Sequence, residues 1–203
     1  MTITLPTSFP DTAPLPDTTP KVPLVDNRIA YLGFALAYIL GHGGTSLTLG
    51  ADPLLDAPSW LPMIFLGVGL LVGTVAATVA ATRSQRGLSA HEARPHKLLG
   101  LAWIIGFLGL FLAITGLTAA TGDPGLQTLL WPSGSALIVG LVYLAEGAMR
   151  RDTLHYTLGA LLIVIGTSAL LLPTTLAIGT VAVCGGTAYV TAAILDHHRR
   201  VRS

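Results

Sequence analysis

The charged residues of this chain are confined to short segments, and long apolar runs separate these segments. Only 10% of its 203 residues are charged and 52% are hydrophobic, whereas a water-soluble domain carries about 25% charged residues. A helix needs about 20 predominantly apolar residues to cross the hydrocarbon core of a bilayer. The pattern therefore predicts an all-α integral membrane protein and excludes an ordinary soluble domain.

Six stretches are long and apolar enough to be predicted as transmembrane helices. They are residues 28–49, 60–82, 98–120, 130–149, 153–172 and 173–195. Pro173 divides the last two, because proline removes a backbone donor and ends the preceding helix. We expect a bundle of three helical hairpins over residues 28–195. A Pro/Thr-rich cytoplasmic tail, predicted to be disordered, precedes it at residues 1–27, and a basic cytoplasmic tail follows at residues 196–203.

The cations predict the orientation of these helices. All Lys and Arg fall before or at the first residue of the first stretch, after the second, after the fourth or after the sixth: Lys21, Arg28, Arg83, Arg86, Arg94, Lys97, Arg150, Arg151, Arg199, Arg200 and Arg202. Lys and Arg in short loops are retained on the cytoplasmic side. Both termini are therefore predicted to be cytoplasmic, in a multi-pass protein of the plasma membrane whose surroundings are the lipid bilayer.

Small residues spaced four apart predict close helix packing. The first stretch carries Gly33, Ala37 and Gly41, and the second carries Gly69 and Gly73. Small residues let helix backbones approach closely in a membrane, but they do not distinguish folding from assembly, so a homo-oligomer stays open. In the last stretch, Gly185-Gly186 predicts either a close helix crossing, which we favour, or a break that lines a cavity.

His42 is the first candidate for a functional residue, because an ionisable group inside a span is costly without a purpose or a partner. Tyr38, Thr45 and Ser46 lie within one helical turn of it. A ring whose ordinary pKa is near 6.5 can carry a proton or sense pH. The alternative is a packing histidine with satisfied hydrogen bonds in the outer half of the span.

Glu146 is the second candidate and lies four residues before Arg150, a helical spacing that permits an ion pair. The alternative is a cytoplasmic mouth that Glu146 forms with Tyr143 and His155 from adjacent helices. The speculative substrate path consists of Tyr38, His42, Thr45, Ser46, Tyr143 and Glu146.

Other chemistry is not indicated by the sequence. His91 and His96 are five residues apart, where a helical zinc motif needs four, and Pro95 is expected to interrupt the helix. His42 is taken as the only histidine deep in a span, which argues against bis-histidine haem. No nucleophile or phosphate-loop motif occurs, so we expect no catalytic residues, cofactor, metal or enzymatic activity. The scattered cations do not favour nucleic acid.

The last hairpin resembles hairpins of the HdeD-type six-span stress proteins. The likeness rests on Gly-Ala-Leu-Leu-Ile-Val-Ile-Gly at residues 159–166 and on Leu-Leu-Leu-Pro at residues 170–173. It covers less than a fifth of the chain, and no residue or activity is carried over from it.

Two functional hypotheses remain. The leading one is a compact permease or channel, or the membrane subunit of a multi-component transporter with an ATPase or another membrane subunit at the basic cytoplasmic loops. The alternative is a non-transporting anchor, assembly or stress-response protein. Transport predicts a water-accessible polar cavity around His42, whereas an anchor predicts a dry, fully packed bundle.

Overall fold

The computed structural model describes residues 25–201, and this part of the chain is all-helical. Predictions for residues 1–24 and 202–203 lie outside the described residues. Helix α1 combines Arg28–Leu36, a π-helical segment Ala37–His42 and Gly43–Thr48. The next four are α2 (Trp60–Ser84), α3 (Ala90–Thr121), α4 (Gly125–Arg150) and α5 (Thr153–Ala169). Helix α6 combines Thr174–Thr180, a π-helical segment Val181–Gly185 and Gly186–Val201.

Within residues 25–201, four helices are long and apolar enough to cross a membrane, namely α2, α3, α4 and α6. Helix α5 is apolar but has only 17 residues. These helices support an integral membrane protein. The number of six spans and the cytoplasmic position of both termini stay predictions.

The core lies between α1, α4, α5 and α6, whereas α2 packs on α1 and α3 packs on α4. Its largest fully buried side chains include Tyr31, Leu162, Val181 and Tyr189. Most large apolar side chains of α2 and α3 remain exposed in the monomer. Such faces are suited to acyl chains, since lipid tails are as apolar as leucine.

Glycines set the contact between α1 and α2. A Cβ atom on Gly33 would lie 2.5 Å from the Gly73 nitrogen, and one on Gly69 would lie 2.5 Å from the Ala37 nitrogen. Real Cβ atoms essentially never approach another atom so closely, so the backbones touch where the side chains are missing. The predicted packing role of the small-residue stripe is confirmed.

Pro95, Pro132 and Pro173 have different effects on the helices. The predicted break at Pro173 is confirmed, since α5 ends at Ala169 and α6 begins at Thr174. The predicted span 130–149 would place Pro132 near a helix start, but α4 begins at Gly125 and contains Pro132 in its interior. Likewise, α3 continues through Pro95, so the expected interruption there is wrong.

The start of α3 explains the second correction. The Ser89 hydroxyl accepts a hydrogen bond from the Glu92 backbone N–H (3.4 Å), and the Glu92 carboxylate accepts one from the Ser89 N–H (2.9 Å). This capping box starts the helix upstream of Pro95, and the proline removes only one of its many hydrogen bonds. The basic segment 83–97 is therefore two helix ends joined by residues 85–89 rather than a loop.

We predict that Gly69→Ala destabilises the protein by roughly 1–3 kcal/mol, because the new methyl group overpacks the α1–α2 contact. The matched control is Gly67→Ala in the same helix, since a Cβ atom at Gly67 meets nothing within 4 Å. The control is expected to change stability by less than about 0.5 kcal/mol. Unfolding by sodium dodecyl sulfate in mixed micelles measures both variants, and equal effects would contradict the packing account.

Candidate functional site

Several helix ends meet where the basic residues lie. The Arg150 guanidinium contacts the Ser84 hydroxyl at the end of α2 (3.3 Å) and His96 Nδ1 in α3 (3.4 Å). Near the start of α1, the Arg28 guanidinium contacts His197 Nδ1 of α6 (3.1 Å). We call this side of the bundle the basic end, and the side with connections 49–59 and 122–124 the opposite end.

An ion network joins α5 to α6 at the basic end. The Arg199 guanidinium donates to both carboxylate oxygens of Asp152 (2.6 and 3.0 Å) and to the carboxylate of Asp196 (2.7 Å). Arg200 also donates to Asp196 (3.0 Å), which is fully buried. A buried carboxylate needs such partners, because water no longer solvates it. Residues 196–201 continue α6 as a helix.

Asp152 has two roles in this network. Its carboxylate caps α5 by accepting from the backbone N–H groups of Leu154 (3.1 Å) and His155 (3.2 Å). Burial raises the pKa of Asp152, but the hydrogen bonds and positive charge of Arg199 outweigh that effect and hold its pKa below the ordinary value. The carboxylate is therefore stabilised in its charged form.

His155 links three helices beside this network. Its Nδ1 lies 2.8 Å from the Tyr31 hydroxyl of α1, and its Nε2 lies 3.3 Å from a carboxylate oxygen of Glu146 in α4. The Arg150 Nε lies 2.9 Å from the other oxygen of Glu146. The His155 Nε2 and Arg150 Nε contacts have ion-pair distances without good hydrogen-bond angles.

These contacts bear on both interpretations of Glu146. The predicted ion pair with Arg150 is confirmed. The structure also brings Tyr143, Glu146 and His155 together, with the rings of Tyr143 and His155 centred 4.1 Å apart. His155 is also a buried histidine, since it is only 5% exposed, although it lies near the start of α5. Its position as the third residue of α5 did not predict burial, because Tyr31, which covers it, belongs to α1.

Four tyrosines form a buried cluster that extends from His155 towards His42. Tyr189 lies at its centre, with ring centroids 6.4 Å from Tyr31, 6.4 Å from Tyr143 and 5.2 Å from Tyr38. All four side chains are at most 5% exposed. We call Tyr31, Tyr38, Tyr143 and Tyr189 the tyrosine cluster.

The tyrosine cluster ends at the two π-helical segments, which pack against each other. The Tyr38 ring lies directly on Gly185, and the side chain of Ile39 lies on Gly186. The edge of Tyr38 also contacts the His42 ring, with centroids 5.3 Å apart. Gly185 and Gly186 therefore form the close crossing that we favoured, at the end of the π-helical segment Val181–Gly185.

A cleft of about 540 Å³ lies between this crossing and the opposite end of the bundle. Helices α1, α2 and α6 and the connection 49–59 form its walls. A hydrogen bond from the Leu55 N–H to the Leu47 carbonyl oxygen (3.0 Å) ties the connection to α1. The lining is almost wholly apolar, and its hydroxyl-bearing side chains are Ser46, Thr48 and Thr187.

The structure divides the six predicted site residues into separate groups. Ser46 lines the cleft, and its hydroxyl donates to the Thr175 carbonyl oxygen (2.9 Å). The Thr45 hydroxyl donates to the Gly41 carbonyl oxygen of its own helix (2.9 Å). Neither Thr45 nor half-buried His42 is among the lining residues.

Tyr38 joins the groups, because it contacts His42 on one side and Tyr189 on the other. Tyr143 and Glu146 lie nearer the basic end, around His155. Among the described residues, no group of three His, Cys, Asp or Glu side chains is placed to hold a metal ion. The role of the six residues in transport stays a prediction.

No protein-family model, curated protein or solved structure matches this chain. A proposal for its function therefore rests on the geometry of the cleft and of the buried network.

We predict that Asp152→Asn lowers stability at neutral pH by about 1 kcal/mol, because a neutral side chain weakens the charged hydrogen bonds with Arg199. The lowered pKa of Asp152 means that its contribution is complete above its ordinary value of 3.8 and is lost as pH falls through the folded-state pKa. The difference in thermal unfolding midpoint between wild type and variant is expected to shrink between pH 7 and pH 3.

Asp152→Ala is the companion variant, because it also removes the helix cap. It is expected to cost about a further 1 kcal/mol at both pH values, since asparagine retains most of the capping ability of aspartate and alanine does not. A difference between wild type and Asp152→Asn that stays constant with pH would contradict the role of the charge.

Proposed function

We propose that this chain is a small membrane transporter whose cleft admits an uncharged, largely apolar substrate. The observation that carries the proposal is the position of the two π-helical segments. Ile39 and Leu40 of the first and Ala182 and Val183 of the second all line the cleft. The lining thus includes the residues where α1 and α6 depart from regular helix.

π-helical segments are suited to helices that move during transport. π-helical turns are rare and occur often at functional sites, and transporters commonly place broken helices around their substrates. Gly43 and Gly179 also lie near this part of the cleft, with Ser46 close to Gly179. Glycine has no side chain to obstruct a change in helix packing, so we expect α1 and α6 to be the helices that move.

The basic end supports the same function because it is closed. Arg199 bridges Asp152 and Asp196, and the Tyr31–His155–Glu146 contacts hold α1, α4 and α5 together. One end of the bundle is therefore open while the other is sealed by side-chain contacts that can break and reform. Alternating access needs this combination. With the predicted orientation, the cleft opens to the non-cytoplasmic side.

The lining indicates the class of substrate. No Asp, Glu, Lys or Arg is among the residues that line the cleft. A charged substrate would lose hydration there without gaining a counter-charge, which is costly. An apolar molecule with one or two hydrogen-bonding groups would instead match the apolar walls and the hydroxyls of Ser46, Thr48 and Thr187.

The alternative is a static anchor or assembly protein. In that case the cleft would be a lipid-filled surface groove, and the basic end would never open. The predicted ATPase or membrane subunit at the basic end and a homo-oligomer both remain compatible with the transporter proposal. The exposed faces of α2 and α3 leave room for either kind of neighbour.

We predict that single cysteines in a Cys184→Ala background report both sides of the transport cycle. Ser46→Cys lines the cleft and is expected to react with a membrane-impermeant thiol reagent added from the non-cytoplasmic side. Ala192→Cys lies in the buried core near the basic end and is expected to react slowly, and only from the cytoplasmic side. Labelling is measured by mass shift in oriented vesicles.

Two controls make the result interpretable. Gly67→Cys on the exposed face of α2 is expected to stay unlabelled in the bilayer, because thiolates form only in water. Asp196→Asn weakens the closure and is expected to raise the labelling of Ala192→Cys several-fold while lowering that of Ser46→Cys. Protection of Ala192→Cys from both sides in both backgrounds would favour the static alternative.

A further inference from the structure

We propose that His155 is a proton-binding site whose occupancy controls the closure of the basic end, so that transport is coupled to a proton gradient. The inference rests on the proposed transport function. It starts from the buried link Tyr31–His155–Glu146, in which one imidazole contacts α1 through Nδ1 and α4 through Nε2.

The two protonation states of His155 require different partners. A neutral ring with its proton on Nε2 holds that proton on the side of Glu146, 3.3 Å from Nε2, and accepts the hydrogen of the Tyr31 hydroxyl on Nδ1. An imidazolium has a hydrogen on both nitrogens, so Tyr31 must turn its hydroxyl hydrogen away and accept instead. Binding of one proton therefore reverses the hydrogen bond between α1 and α5, while the contact with Glu146 gains a positive charge.

Tyr31 also connects this reversal to the start of α1. Its backbone N–H donates to the carbonyl oxygen of Asn27 (2.8 Å), which precedes the first turn of α1. When His155 donates to Tyr31, the hydroxyl hydrogen of Tyr31 needs a new acceptor. Protonation thus disturbs the contact that holds the start of α1 against α5.

Charged groups from the neighbouring helices surround this site. Glu146 and Arg150 face it from α4, and Asp152 lies before α5 with its carboxylate bonded to the His155 N–H. Asp152 in turn pairs with Arg199 of α6, which also holds Asp196. The nearer carboxylates attract a proton to His155, and Arg150 opposes it. The proton site therefore shares Asp152 with the ion network that closes the basic end.

The tyrosine cluster connects the site to the cleft. The Tyr143 ring contacts the rings of His155 and Tyr189, the Tyr189 ring contacts Tyr38, and Tyr38 lies on Gly185 of the second π-helical segment. A shift of these rings at the basic end is transmitted to the crossing of α1 and α6 by direct contact, since close-packed groups cannot deform continuously. Proton binding and the shape of the cleft are thereby linked.

The first test measures proton binding without any transport. Protein labelled with ¹⁵N-histidine in lipid nanodiscs gives signals for its six histidines, and His155→Gln identifies the signal of His155. The signal is followed from pH 4 to pH 9, and we expect it to change with pH and to respond differently in Glu146→Gln, because the variant removes the nearest anion. A His155 signal that does not change over this range would overturn the proposal.

The second test measures the consequence of proton binding. Labelling of Ala192→Cys from the cytoplasmic side, in the Cys184→Ala background, is followed from pH 5 to pH 8. We expect at least a threefold change across this range, and a loss of the pH dependence in Tyr31→Phe, which keeps the ring and removes the hydroxyl. Tyr156→Phe is the matched control, since Tyr156 is next to His155 and is 44% exposed; it should retain the full pH dependence.

The two tests separate this proposal from the transporter proposal. If Ala192→Cys is labelled in a pH-independent way while His155 titrates, the basic end opens but His155 does not control it, and the coupling is refuted. If Ala192→Cys is protected at every pH, the transporter proposal fails first. His155→Gln serves only to assign the His155 signal, whereas Glu146→Gln and Tyr31→Phe test the same link with smaller changes.

Discussion

The close crossing of α1 and α6 is the contact on which the rest of the bundle depends. The Tyr38 ring lies on Gly185 and the Ile39 side chain on Gly186, so side chains of α1 pack directly on the α6 backbone where α6 has no side chains of its own. Between helices in lipid, packing and polar contacts replace the hydrophobic effect as the driving force. This crossing places Tyr38 beside Tyr189 on the basic side and leaves a cleft on the opposite side.

Buried polar groups give the crossing its specificity. An apolar bundle alone would tolerate several helix rotations, but a buried hydroxyl, imidazole or carboxylate without a partner is costly. Tyr31 must meet His155, His155 must meet Glu146, and Asp196 must meet its arginines. Removing one member leaves its partners unpaired. The contacts that hold the basic end closed are therefore also the contacts that protonation would disrupt.

The features that the sequence predicted are local or compositional. Apolar length and cation placement indicated membrane-crossing helices, Pro173 marked a break, the glycine stripe marked the α1–α2 contact, and the i, i+4 spacing marked the Glu146–Arg150 pair. The expected interruption at Pro95 was wrong because the Ser89–Glu92 capping box starts α3 upstream, which outweighs the loss of one hydrogen bond at a proline. Pro132 likewise lies inside α4, which begins at Gly125.

The sequence by itself determined an all-helical protein with long apolar helices and offered Tyr143, Glu146 and His155 as one group formed by adjacent helices. Only the tertiary structure decided that Tyr31, 124 residues away from His155, completes that group and buries it. It also decided that Ser46 lines the cleft while His42 adjoins the tyrosine cluster. Spacing along a helix fixes which residues share a face, but helix rotation and crossing, set by interhelical packing, decide what each face meets.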